Sequence, residues 1–325
     1  MGALKYGICS YCGACIAVCP FMALVLGDES PLRLEERCLE KGSSLGLCSR
    51  VCPMVSTPEP ERELPVLKAY TARTRIEEVR EVCQDGGVVS TLLIEALRRG
   101  LVEAAITCAL GEEPLKPYPK ISTTERDVIE SAGSKYSLVP VLYLLREASS
   151  KYSRIAVVGL PCHVRALELM RELRLRKLVS PVKYVIGLFC MGNYRYKTLV
   201  ESIIAGTLGL DPREVLRVDI RKGKLTAYCR DGTARSVKAS ELRRHLSNCC
   251  RKCVDLTAVY ADVSVGSMGS EDGWSTVLVR TEAGAELFDA AIEDGLLEAR
   301  SLGEKQLEFI EKMSELKRRR ASALS

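Results

Sequence analysis

From residue 66 onward, short apolar runs alternate with amphipathic stretches, the pattern of an α/β fold. Residues 66–72 read as a strand. The spacing predicts a helix over 86–99, with Val89, Leu92, Leu93, Ala96 and Leu97 on one face. A strand follows over 104–109 and a helix over 138–147. Residues 155–158 form a buried strand that runs into Gly159-Leu160-Pro161-Cys162, and a helix over 163–175 comes next. A second buried strand, 184–189, ends at Cys190. Residues 215–220 and 225–228 read as a hairpin across Lys222-Gly223, with late strands at 263–265 and 276–280 and a last helix over 304–320. The first 57 residues lack this alternation and are dense in cysteine. Between the two regions, residues 58–65 carry prolines and charges that favour an extended linker. The expectation is therefore a small cysteine-rich domain (1–57), a linker (58–65) and a mixed-sheet α/β domain (66–325). No G-x-G-x-x-G follows the first strand, so a standard dinucleotide-binding unit is unsupported.

Composition narrows the class. The 325 residues are 47% hydrophobic and 27% charged, ordinary for a globular protein with a substantial core. No apolar run reaches the roughly 18 residues of a membrane span, and no signal peptide is visible. Fifteen cysteines without an export signal point to metal ligation in a reducing cytoplasm. The net charge of +5 is spread out, and its one basic run, 317–320, reads as a solvated helix end rather than a nucleic-acid contact.

The cysteines carry the chemistry. Cys9, Cys12, Cys15 and Cys19, closed by Pro20, form the C-x₂-C-x₂-C-x₃-C-P run of bacterial-type ferredoxins. A cubane needs three thiolates converging on three corners, so the chain must wrap tightly, and Gly13 and Ala14 permit it. Zinc sites use separated Cys-x₂-Cys pairs instead. The segment 46–53 echoes 13–20, but this second run has only Cys38, Cys48 and Cys52, with Leu45 where a cysteine would stand. By the crossover rule of two-cluster ferredoxins, Cys9, Cys12, Cys15 and Cys52 would hold one 4Fe-4S cluster. Cys19, Cys38 and Cys48 would hold a second, either 3Fe-4S or 4Fe-4S with a non-thiolate corner.

A further set lies in the larger domain. Cys162 and Cys190 each follow a buried strand, at the sheet edge where ligands gather. Cys250 and Cys253 add a Cys-x₂-Cys pair, completing four thiolates for an inner 4Fe-4S cluster, with Arg251 and Lys252 to offset its charge. The competing reading of Cys162 and Cys190 is as small buried hydrophobes. Cys249 is an alternative ligand to Cys250, while Cys83, Cys108 and Cys229 read as core. Asp85 with Gly86 and Gly87 is either a helix cap alone or a ligand-binding helix start. His163 is either a plain helix-start residue or a hydrogen-bond donor to a cofactor. Two histidines support no nucleophilic triad, and no catalytic residue is assigned.

Several motifs in one order resemble the beta-subunit family of coenzyme F420-dependent hydrogenases and dehydrogenases. They are Gln84-Asp85-Gly86-Gly87-Val88-Val89, Gly133-Ser134-Lys135-Tyr136-Ser137, Val158-Gly159-Leu160-Pro161-Cys162 and Gly187-Leu188-Phe189-Cys190-Met191. Later come Cys250-Arg251-Lys252-Cys253-Val254-Asp255, Ala261-Asp262-Val263-Ser264-Val265-Gly266 and Gly273-Trp274-Ser275. His163 departs from the pattern, which has Gln after the cysteine. The resemblance implies an iron–sulfur flavoprotein oxidoreductase with FAD, a nearby 4Fe-4S cluster, F420 as hydride partner, and a hydrogenase, dehydrogenase or reductase partner subunit. It makes Asp85, Gly86, Gly87, Ser134, Lys135, Tyr136 and His163 the candidate cofactor-binding residues; alone, Gly133 to Tyr136 would read as a surface turn. The alternative function is an electron-transfer subunit without its own F420 site.

Overall fold

The computed structural model describes residue 3 and residues 7–40, 46–56 and 63–322. Leu45 and residues 58–62 of the expected linker lie outside the described residues. The cysteine-rich segment is built from short pieces: α1 (Ala14–Val18), the antiparallel pair β1 (Leu24–Leu26) and β2 (Pro31–Arg33), α2 (Glu35–Glu40) and α3 (Leu47–Arg50). The rest alternates. β3 (Lys68–Thr74), α4 (Glu77–Val82), α5 (Val88–Arg98), β4 (Ala104–Leu110), β5 (Pro117–Ser122) and α6 (Glu125–Glu130) come first. A 3₁₀ turn (Val141–Leu144), α7 (Leu145–Lys151), β6 (Ile155–Gly159), α8 (Pro161–Glu172), α9 (Arg176–Val179) and β7 (Val182–Leu188) follow. A π-helical segment (Thr198–Thr207) precedes β8 (Val215–Arg221), β9 (Lys224–Cys229) and β10 (Ala234–Lys238). Then come α10 (Asn248–Lys252), β11 (Val263–Gly266), β12 (Ser275–Val279), α11 (Glu282–Glu293), β13 (Leu297–Ser301) and α12 (Glu304–Ser322).

The main sheet has eight strands in the order β13-β3-β12-β11-β7-β6-β4-β5. β11, β7, β6 and β4 are mutually parallel, and antiparallel strands complete both sides. The apolar character of β6 and β7 follows, because helices cover both faces of a parallel region. Ala156, Tyr184 and Ile186 face Leu92, Ile94, Leu287 and Phe288 from α5 and α11. Ile155, Val157 and Val185 face Leu145, Leu167 and Met170 from α7 and α8. β8, β9 and β10 form a separate antiparallel sheet that packs with Leu199, Ile203 and Ile204 of the π-helical segment. The expected hairpin is its β8–β9 pair.

Two local expectations change. The helix expected over 138–147 is a 3₁₀ turn followed by α7, because a proline at 140 disfavours helical geometry at Val139 and offers no N–H. The helix expected from residue 86 begins at Val88, since Gly87 caps it at a left-handed φ of 68°. β5 was not signalled, because Pro117 and Pro119 read against a strand; both are tolerated at a sheet edge. The cysteine-rich segment shares its apolar packing with the larger region. Cys12, Ala14, Ala17, Val18 and Val51 belong to the same buried cluster as Leu142, Leu145, Val164 and Leu167. No helix among the described residues is long and apolar enough to cross a membrane.

Candidate functional site

The carboxyl ends of the parallel strands build the inner thiol group. β6 delivers Leu160 as the N-cap of α8, Pro161 takes the first helical position, and Cys162 the second. β7 ends just before Cys190, whose N–H donates to Leu256 O at 2.9 Å. α10 carries Cys250 and closes at Cys253. Burial raises the Cys162 thiol well above its usual range, and Cys12, Cys253, Cys190 and Cys250 push it further up. Burial likewise pushes Cys190 up to about 12, against the opposing pull of Lys317. Cys250 moves the other way. The Cys249 thiol, 3.8 Å from it, holds it below its usual range, and the Asn193 N–H adds a 3.2 Å bond to its sulfur. The fold thus brings Cys162, Cys190, Cys250 and Cys253 within electrostatic reach of one another, with Cys249 beside Cys250.

A second group adjoins the first. Cys12 is pushed up to about 12 by burial and by Cys52 and Cys9, while Cys15 is raised by burial and by Cys12, Cys9, Cys52 and Cys48. Gly13 makes the wrap possible. Its φ is 86°, and a Cβ there would strike the Tyr143 nitrogen and stand 2.9 Å from Pro140 O. Leu142 N–H donates to Cys12 O at 3.0 Å, and Arg146 clamps Ala17 O and Cys19 O, each at 2.6 Å. Cys19 follows α1 and accepts the Ala23 N–H at 3.3 Å, and Cys38 lies in α2. Among the described residues no three or more such side chains stand close enough to grip a single ion. A cluster holds its ligands on the corners of an inorganic core and so takes thiols spaced more widely than a single ion does.

Beside the inner thiols lies a cavity of about 320 Å³. Asp85, Gly87, Ser134, Lys135, Tyr136 and His163 all line it, and so does Cys190. Gly86 lines an adjoining recess with Arg73, Arg80 and Gly273. A Cβ on Gly86 would meet Ala72 O and lie 2.6 Å from the Ser275 nitrogen, so this strand-to-helix crossing admits no side chain. The Tyr136 hydroxyl accepts from Gln84 Nε2 at 2.7 Å and Ile220 N at 3.0 Å. Ser137 Oγ is buried in the cavity wall without a hydrogen-bond partner, an opening for a bound polar group. An apolar hollow with few convergent polar groups fits a flat heterocyclic cofactor.

Two expectations are corrected, for Asp85 and for the charge beside the inner thiols, and Lys135 and His163 prove to be engaged within the protein. Asp85 does not cap α5; Gly87 holds that position, and the Asp85 carboxylate pairs with Arg221 at 2.8 Å. The Lys135 ammonium donates to Ser131 O, Ala132 O and Gly133 O at 2.6, 2.8 and 3.0 Å, so all three of its protons serve the end of α6. Burial holds it down at about 8. His163 offers no free nitrogen: Nδ1 accepts from Leu160 N at 3.0 Å, and Nε2 donates to Val139 O at 3.1 Å. Finally, the charge beside the inner thiols is not supplied by Arg251 or Lys252. Arg251 turns to Arg243 O and Arg244 O, and Lys252 is exposed. Lys317, expected in solvent, is 4% exposed instead, with Nζ 2.5 Å from Cys190 O and 2.6 Å from Asp255 O. Cys229 is core as expected, but Cys83 and Cys108 line the cavity. Cys108 near the carboxyl end of β4 obeys the same edge rule as Cys162 and Cys190, and that signal would have found it.

Two family models match this chain: "Coenzyme F420 hydrogenase/dehydrogenase, beta subunit N-term" over residues 69–146, and its C-terminal counterpart over residues 152–305. The chain belongs to this beta-subunit family. It is accordingly an oxidoreductase of that type. It is 34% identical to a subunit of the F(420)H(2) dehydrogenase of Methanosarcina mazei, over 97% of this chain and 91% of that one. It is 33% identical to the coenzyme F420 hydrogenase subunit beta of Methanothermobacter thermautotrophicus, over 77% of this chain and 91% of the relative. With the coenzyme F420-dependent sulfite reductase of Methanocaldococcus jannaschii it shares 35% identity over 97% of its length, but spans only 49% of that longer protein. Among solved structures, a chain of the F420-reducing [NiFe] hydrogenase complex from Methanosarcina barkeri superposes with a TM-score of 0.77 and 28% identity. The match covers 83% of this chain and 94% of that one. The family's mixed α/β fold is thus the fold described above.

Proposed function

We propose that this chain is an iron–sulfur flavoprotein that passes electrons between 4Fe-4S clusters and coenzyme F420 through FAD, as one subunit of a hydrogenase, dehydrogenase or reductase. The carrying observation is contiguity. Cys12 of the N-terminal group is within electrostatic reach of Cys162, and Cys190 of the inner group lines the cavity. Clusters carry single electrons, whereas FAD exchanges either one electron or a hydride, so the flavin converts between the two currencies.

The chain's own residues then have definite tasks. Cys162, Cys190, Cys250 and Cys253 hold the inner cluster. Cys9, Cys12, Cys15 and Cys52 hold the outer one, and Cys19, Cys38 and Cys48 a further cluster of three or four irons. The cavity between β4, β6, β7 and β11 receives the flavin. Gly86 and Gly87 let the start of the helix beside the cavity pack tightly on Ala72, Thr74, Val79 and Ser275, and Ser137 Oγ supplies an unspent polar contact. Tyr136, braced by Gln84 and Ile220, forms a fixed wall. Lys135 and His163 shape the wall without an available donor. The fifteen free thiols suit a reducing compartment, the cytoplasm.

Anaerobic purification with iron and flavin analysis tests the reading, followed by F420, NAD and NADP assays with a one-electron viologen donor. Bound FAD with F420 reduction is expected. A chain that takes up no flavin on anaerobic reconstitution refutes it, and bound FAD without F420 turnover favours an electron-transfer subunit lacking that site.

A further inference from the structure

Burying a lysine costs several kcal/mol unless its charge is met. Lys317 is buried on α12, yet no carboxylate is paired with it among the described ion pairs. Its Nζ bonds Cys190 O at 2.5 Å and Asp255 O at 2.6 Å, and reaches the Cys253 sulfur. The nearby Asp255 carboxylate is spent on the Ala258 and Val259 N–H groups, at 2.8 and 3.2 Å. The ammonium therefore joins the two loops that carry Cys190 and Cys253. The helix is anchored on either side of it by buried Ile310 and Ala321, so the ammonium is held in place by packing. Neither family match reaches residue 317.

We infer that Lys317 is a positioning residue for the inner cluster, whose fixed positive charge beside Cys190 and Cys253 raises that cluster's reduction potential. This rests on the inner-cluster assignment proposed above. Four thiolates outweigh the charge of a four-iron core, so the ligated cluster is anionic, and reduction adds one more negative charge. A desolvated cation at the ligands favours the more negative state.

The test is an EPR redox titration of the anaerobically reconstituted full chain, with iron analysis, in the wild type, Lys317→Gln, Lys317→Arg and Cys250→Ala. The inner-cluster signal is the one Cys250→Ala abolishes. Lys317→Gln, which can still donate to a carbonyl, should shift that signal to a more negative midpoint and leave the N-terminal signals in place. Lys317→Arg should stay near the wild type. Loss of inner iron in Lys317→Gln but not in Lys317→Arg equally marks the charge as required. An unshifted Lys317→Gln overturns the inference, and so do equal shifts or equal iron loss in both variants, which would signify packing alone. A wild-type spectrum with no component lost in Cys250→Ala refutes the inner-cluster assignment instead.

Discussion

His163 makes acid sensitivity a measurable property of the site. It occupies the third position of α8, where its Nδ1 reaches back to the Leu160 N–H of the N-cap, half of a capping box. With Nδ1 accepting and Nε2 donating to Val139 O, the ring is neutral, and burial depresses its pKa from 6.5 to about 4. The unfolded chain then binds a proton before the folded one, so stability falls as pH drops from 6.5 towards 4. Each pKa unit is worth about 1.4 kcal/mol, which gives roughly 2 kcal/mol lost by pH 5 and about 3 kcal/mol below pH 4. Above pH 7 the term vanishes. In His163→Gln, the amide takes both roles, Nε2 donating to Val139 O and Oε1 accepting from the Leu160 N–H as Gln does in a capping box, and it does not titrate. Urea unfolding under argon at pH 7.5 and pH 5.0 should therefore show the two proteins within about 1 kcal/mol of each other at the higher pH and the wild type lower by roughly a further 2 kcal/mol at pH 5.0. Other titrating groups are common to both proteins and cancel in the difference. A pH-independent gap between the two would refute a buried neutral imidazole.

Cys162→Ala and Cys250→Ala should each lower iron per chain by one cluster's worth while sparing the N-terminal clusters; unchanged iron would remove both from the ligand set. Gly86→Ala should destabilise by roughly 2 kcal/mol, as overpacked positions do, and reduce bound flavin, because its Cβ would meet Ala72 O and the Ser275 nitrogen. Denaturant melts and flavin fluorescence after acid release read the two effects, and a native-like Gly86→Ala would disprove the tight crossing. Tyr136→Phe leaves the Gln84 and Ile220 donors without their acceptor, an expected loss of about 1–3 kcal/mol measurable by thermal unfolding. Lys135→Met should cost stability through the end of α6 rather than through cofactor charge, so flavin retention at the wild-type level is the expected readout.

What was legible in the sequence is what is local. The short apolar runs of β4, β6, β7 and β11 mark the strands whose carboxyl ends make the site, and Cys162 and Cys190 are visible at those ends. Short-range spacing likewise marks Cys9, Cys12 and Cys15 as one wrap. Pairings across the chain were not legible. Asp85 looks like a cap because Asp often caps helices, but its partner Arg221 arrives from another sheet 136 residues later. Lys317 sits in a basic run on a polar helix, and nothing in that periodicity distinguishes the one lysine that turns inward. His163 and Lys135 share a different failing. Residue type shows what hydrogen bonds a side chain can make, not that the local backbone has already used them.

The 3₁₀ turn and the residues just before it tie these parts together. Val139 O accepts from His163 at the start of the helix that carries Cys162. Pro140 O and Tyr143 N crowd Gly13, while Leu142 N–H holds Cys12 O. Val139 and Val141 also line the cavity. One short segment thus touches the outer thiol wrap, the inner thiol helix and the cavity wall. Pro140 explains why it is not helical: a regular helix over 138–147 would consume Val139 O and Leu142 N–H in its own ladder, leaving neither for His163 or Cys12. The departure from the expected helix is therefore what frees these backbone groups to fix the separation between the two thiol sets. If the two thiol sets hold the clusters proposed above, rigid spacing matters because electron transfer between clusters depends on their separation; substitutions in this segment should disturb the outer and inner groups together.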